Sequence, residues 1–211
     1  MSIKSNNNLK FTYLLGAGAS VGTIPVVKRF GDGLTEFIEF LREAQSQKTN
    51  SSQIIGNLII DAIKLSEELN SYASFDTFAK KLYLLGKVNE LTVYKRVIST
   101  YILYCNLFKP RDTRYDLFFA SILDKGKNEI LIPDNVNLIT WNYDRLADIS
   151  LQSILSCDSF QLNSHVNLFN NYDLEVEKKS IENTLNIVKL NGAAGAFIDN
   201  EINMRDLFIT P

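Results

Sequence analysis

Three short stretches of this chain carry residue types that could hold a phosphate-bearing ligand and act on it. The first is Gly16-Ala17-Gly18-Ala19-Ser20, which follows the apolar run Phe11-Thr12-Tyr13-Leu14-Leu15 and precedes Ile24-Pro25. Glycines let a ligand approach the backbone closely, and free N–H groups at the start of a helix point at an anion. Gly22 falls one residue too late for the strict G-x-G-x-x-G spacing, so a turn of purely structural use stands beside the phosphate cradle as a reading. The second stretch, Thr140-Trp141-Asn142-Tyr143-Asp144, offers an amide and a carboxylate two residues apart. The same pair could simply cap the helix behind it. The third, Val188-Lys189-Leu190-Asn191-Gly192, ends in a dipeptide that is equally at home in a plain turn.

What must position these groups is legible in the hydrophobic pattern. Residues 11–15, 136–141 and 185–190 have the length and β-branched, apolar content of buried strands, and each runs into one of the three motifs. Between the first two strands the period is helical. Leu34, Phe37, Ile38 and Leu41 make one apolar stripe, and Ile55, Leu58, Ile59 and Ala62 make another. Ser74 is an N-cap for a third helix that Gly86 ends, a fourth carries residues 91–105 before Pro110, and 115–123 reads as a fifth. Residues 24–27 read as a loop leading to Phe30-Gly31-Asp32-Gly33, the first helix begins at Leu34, and 45–52 read as a mobile connection. Leu146, Ile149 and Leu151 suggest a helix after the second motif, residues 160–166 a short strand, and 174–181 stays ambiguous. The expectation is an α/β fold: a Rossmann-like parallel sheet from residues 1–33 and 130–211, with an all-helical insertion at 34–129. A parallel sheet brings all three motifs to one edge, where ligands bind in such folds. Three independent accidents at three strand ends are less plausible than one site.

The totals remove other classes. With 211 residues the chain can bury a proper core, and a net charge of −2 with a pI near 5.5 argues against a large nucleic-acid footprint. No apolar run approaches the ~20 residues that span a bilayer, and the N-terminus is polar. Cys105 and Cys157 are the only two cysteines and form no C-x-x-C unit, which excludes a disulfide framework or a zinc ribbon. The expected compartment is the cytoplasm, with no membrane and no metal.

The three motifs, in this order, resemble the G-A-G-x-S, T-x-N-x-D and K-L-H-G signatures of the sirtuin superfamily, and in particular the sirtuin-like domains of bacterial antiphage defence proteins. The matched segments are a small part of the chain, and the helical stretch between the first two carries no assignable motif. The resemblance implies a domain that binds NAD+. The residues it implicates in holding the dinucleotide are Gly16, Ala17, Gly18, Ala19, Ser20, Thr140, Trp141 and Gly192, with the glycine turn on the pyrophosphate. Asn142 would orient the nicotinamide ribose and an attacking water, Asp144 would hold the loop or contact the cofactor, and Asn191 stands where the family has its histidine. In the defence branch the implied reaction is hydrolysis of the nicotinamide–ribose bond, depleting NAD+ in an infected cell after activation by a partner protein or by self-assembly.

The departures define the question. Asparagine takes up no proton, so general-base chemistry through position 191 is excluded. Classical deacetylases have glutamine where this chain has Trp141, follow Ile-Pro with Asp-Phe-Arg where it has Val26-Val27-Lys28, and carry zinc-binding cysteines that it lacks; deacetylation is disfavoured. The chain ends at Pro211, soon after the third motif, so the strands that would complete an adenosine pocket are expected from a longer protein or from a partner. Two functions stay open here: an NAD+ glycohydrolase, and a non-catalytic sensor or scaffold that binds NAD+, ADP-ribose or a related nucleotide. His165, the only histidine, lies on the expected strand 160–166, where it could enter the site or serve as a surface residue.

Overall fold

In chain order the elements are β1 (Phe11–Leu15), a single 3-10 turn (Ala17–Ser20), α1 (Phe30–Gln47), α2 (Ser52–Leu69), α3 (Phe75–Leu84), α4 (Val88–Phe108), α5 (Arg114–Ile122), β2 (Asp124–Lys125), β3 (Ile130–Leu131), β4 (Val136–Thr140), α6 (Leu146–Leu155), α7 (Ser159–His165), β5 (Asn167–Asn170) and β6 (Asn186–Lys189). The structure, a computed structural model, describes residues 9–25, 30–47, 52–69, 71, 72, 74–127, 129–170 and 181–194. The expectations for Val26, Val27, Lys28, residues 48–51 and residues 174–180 lie outside these.

The chain is an α/β protein. β1, β4, β6 and β5 lie in that order in one sheet, and every pairing in it is parallel, an arrangement compatible with a Rossmann-like fold. β2 and β3 form a separate antiparallel pair. One face of the large sheet is covered: Val136, Leu138, Ile187 and Leu168 point into a core with Tyr115 and Phe119 of α5, Leu146 and Leu151 of α6 and Leu162 of α7. The other face is polar at its centre. Asn167 donates to Asn186, Asn186 to Asn137 and Asn137 to Thr12, a row of three amides and a hydroxyl crossing all four strands. This explains why β4 and β6 alternate buried and half-buried residues, where a parallel strand covered on both faces would be apolar throughout.

The chain folds as two compact units: Met1–Val21 with Arg111–Ala193, and Gly22–Pro110 with Ala194–Pro211. The first holds the sheet and α5 to α7, so α5 belongs with the strands and not with the other helices. The second holds α1 to α4. Its centre is aromatic: Phe30 and Phe37 of α1 pack on Tyr101 and Tyr104 of α4, with Phe30 edge-on to Tyr101 at 4.9 Å between centroids. No helix among the described residues is long and apolar enough to cross a membrane.

Four local expectations change. Residues 45–47 belong to α1 and α2 begins at Ser52, so the connection expected at 45–52 is helical at both ends. Residues 160–166 do not form a strand. Asp158 caps α7 through a capping box with Gln161, and the strand begins only at Asn167. α1 starts at Phe30 and not at Leu34, so Gly31 and Gly33 lie in its first turn. Gly33 is kept small by packing, since a Cβ there would fall 2.0 Å from the Tyr101 hydroxyl. β1 is not buried: it lies at one edge of the described sheet, paired only with β4, and Phe11 and Leu14 are 50% and 65% exposed.

Candidate functional site

The strand register sets the geometry. Leu15 of β1 pairs with Thr140 of β4, and Thr140 pairs with Lys189 of β6. The residues that follow, Gly16, Trp141 and Leu190, therefore leave the sheet at one level and on its carboxyl edge. The backbone continues the register outward, with Trp141 N–H donating to Leu15 O and Leu190 N–H to Thr140 O. All three motifs meet there, within one structural unit.

The glycine turn departs from the expected form. It is a four-residue 3-10 turn, too short to supply much helix dipole. Gly16 is extended, with φ −108°, and neither Gly16 nor Gly18 has a positive φ. Among the described residues, a Cβ on either would meet no atom within 4 Å beyond its own chain neighbours. Neither backbone conformation nor close packing within the protein therefore requires glycine at these positions. What glycine supplies is open space over the backbone on the side from which a ligand would come.

Beneath the turn lies a buried polar cluster. Asn142, from the loop after β4, donates both hydrogens of its Nδ2, one to Gly16 O and one to Ser20 Oγ, each at 3.0 Å. With Nδ2 so engaged, the amide's Oδ1 is the atom suited to accept from a water or a ribose hydroxyl. The Asn142 backbone N–H is held by Thr140 Oγ1 at 3.0 Å. Ser20 is 2% exposed and also shares a hydrogen bond of 3.2 Å with the Tyr115 hydroxyl. Its side chain braces the turn from below.

Asp144 closes the cluster. It is buried, and one carboxylate oxygen accepts from Leu146 N–H at 3.0 Å, which caps α6 as the sequence allowed. Burial pushes its pKa up; hydrogen bonds from Ser20 and Leu146 N–H and the charge of Lys189 pull the other way without cancelling the shift. Burial likewise raises the Tyr115 hydroxyl, reinforced by the Asp144 charge. A buried hydroxyl that keeps its proton is a fixed hydrogen-bonding post.

Of the remaining expected site residues, Trp141 is exposed and Thr140 buried. Asn191 is exposed and donates through Nδ2 to Trp141 O at 2.9 Å. Gly192 adopts φ 75°, the left-handed conformation that favours glycine, so the turn reading of Asn191-Gly192 holds alongside any ligand role. Ala17 and Ala19 lie in the 3-10 turn, where Ala19 N–H closes onto Gly16 O at 2.9 Å. His165 is not brought to the site. It ends α7, is exposed and precedes β5, at the opposite edge of the sheet.

Three residues join the site that the motifs did not nominate for it. Tyr115 and Arg114 come from α5; Arg114 donates to Gly18 O at 2.8 Å while pairing with Asp112. An ordinary amphipathic helix gives no sign of this. Lys189 lay in a motif but had no role assigned; its ammonium is buried against Asp148. Among the described residues, no group of three or more His, Cys, Asp or Glu side chains could hold a metal ion. In comparisons with known proteins, no family model, no curated protein and no solved structure matches the chain.

Proposed function

We propose that this chain is an NAD+ glycohydrolase that cleaves the nicotinamide–ribose bond, with the dinucleotide held at the carboxyl edge of the sheet. The observation that carries the reading is the open space at Gly16 and Gly18, at the head of a strand whose neighbour positions Asn142. Backbone N–H groups of the turn receive the pyrophosphate, and the exposed Trp141 ring offers a face to a planar group.

The chemistry asks little of a base. Glycosidic cleavage passes through an oxocarbenium-like transition state, and nicotinamide leaves as a neutral molecule without being protonated. Catalysis then rests on orientation: Asn142, locked by its two donated hydrogen bonds, presents Oδ1 to the ribose or to the attacking water. A cluster made of an amide and two hydroxyls around a single buried carboxylate suits a site that positions its substrate. Taken with the sirtuin-like motifs, the activity fits an NAD+-depleting effector of bacterial antiphage defence in the cytoplasm, released by a partner protein or by self-assembly. The Rossmann-like sheet with α5 to α7 is the nucleotide-binding part, and helices α1 to α4 are the part free to take the trigger.

A second reading, a nucleotide sensor without turnover, is favoured by one observation: Asn191 is tied to Trp141 O and brings no titrating group to the site. Purified protein incubated with NAD+ separates the two. Nicotinamide release supports the hydrolase, binding by calorimetry without release under activating conditions supports the sensor, and failure of both NAD+ and ADP-ribose to bind refutes the site.

A further inference from the structure

We propose that Lys189 is a positioning residue, whose buried ammonium ties the end of β6 to loop 141–145 and thereby fixes Asn142 and Asp144 relative to the glycine turn. Lys189 is 1% exposed, and its Nζ donates to Asp148 Oδ2 at 2.8 Å and to the backbone carbonyl of Asp144 at 3.1 Å. Asp148, in the first turn of α6, is 2% exposed, and its Oδ1 has no hydrogen-bond partner among the described residues. Arg145 stands 3.5 Å from Oδ2 through Nε, and Asp144 is the other acidic group facing the ammonium.

Burying an ion pair with an unpartnered oxygen is a poor way to stabilise a core, because desolvation offsets the attraction and an apolar pair of similar volume does at least as well. What the pair supplies is placement. The loop is already anchored at its start, by Leu190 N–H on Thr140 O and Asn191 Nδ2 on Trp141 O. Lys189 anchors its far end, at the residue whose carboxylate receives Leu146 N–H and a hydrogen bond from Ser20. Asn142 lies between the two anchors. Both ends of the loop that carries the site are thus held from one strand, β6.

The structural claim stands without any ligand, and only its consequence for NAD+ rests on the function proposed above. The test uses Lys189→Met, which leaves Asp148 buried without its ammonium, and the double variant Lys189→Met with Asp148→Leu, which removes both charges. The single variant is expected to be strongly destabilised. The double variant is expected to regain the wild-type urea midpoint, while the amide hydrogens of Asn142 and Leu146 exchange about tenfold faster or more. NAD+ affinity falls by a similar factor. A double variant with wild-type stability and wild-type exchange at both amides overturns the inference. Should neither variant fold, the wild-type protein decides: a slowly exchanging Lys189 ammonium resonance supports the tie, and its absence overturns it. If wild type binds no NAD+, the functional proposal fails while the exchange result still judges Lys189.

Discussion

Replacing Asn142 by alanine tests whether the buried cluster holds the glycine turn. The variant deletes two hydrogen bonds of 3.0 Å, to Gly16 O and to Ser20 Oγ. Each such bond contributes about 0.5–1.5 kcal/mol net, and an acceptor left wholly unpaired would add about 1–3 kcal/mol. Neither acceptor is stranded: Gly16 O keeps Ala19 N–H, and Ser20 keeps Tyr115. The loss therefore comes to about 2 kcal/mol for the sheet-bearing unit. With a urea slope of about 2 kcal/mol per molar, the unfolding midpoint falls by about 1 M. Asn142→Asp sharpens the test, since an ionised carboxylate only accepts and would face the Gly16 carbonyl, which likewise only accepts. It is expected to cost more than alanine at neutral pH and to recover as acid returns a proton, and with it one donor. A midpoint unchanged in Asn142→Ala, or aspartate tolerated better than alanine at neutral pH, refutes the cluster as described.

Other outcomes follow from single contacts. Asp144 has a folded pKa raised above 3.8, so the native state holds its proton more tightly than the unfolded chain does. Its contribution to stability therefore declines as pH rises from 3.8 through the folded value, and urea midpoints of Asp144→Asn should lack that decline. Gly33→Ala gains helix propensity of about 1 kcal/mol, yet its Cβ would meet the Tyr101 hydroxyl, and overpacking should leave a net loss of about 1–2 kcal/mol in thermal or urea unfolding. Adding Tyr101→Phe should return part of it, because it removes the atom that the new Cβ would meet. Asn191→His places a group titrating near about pH 6.5 beside Trp141, and the rate of nicotinamide release should acquire a pH dependence in that range that the wild type lacks.

Much of this was legible before any coordinates, because each strand ended in a motif. Residues 11–15, 136–140 and 186–189 are strands, and their parallel register follows from the helices that intervene. The capping role of Asp144 and the cap at Ser74 were also visible as side-chain chemistry. The misreadings have local causes. At 160–166 the capping box of Asp158 and Gln161, which spans the start of the segment, settles a helix. Phe11 and Leu14 are apolar yet exposed, and nothing in a single strand's sequence says that it occupies an edge. Tyr115 and Lys189 reach the site through tertiary packing alone. A tyrosine on one helix and a lysine inside an apolar strand announce no partner until Ser20 and Asp148 are placed opposite them.

The central claim is that Gly16 and Gly18 are glycine for a ligand and not for the fold, and Gly16→Val tests it most directly. An extended backbone and empty surroundings accommodate the valine, so the unfolding midpoint should stay within about 0.5 kcal/mol of wild type. NAD+ binding measured by calorimetry should weaken by about tenfold or more, as the side chain fills the approach to the backbone. A variant that binds NAD+ as tightly as wild type, or that loses its fold, would contradict the account.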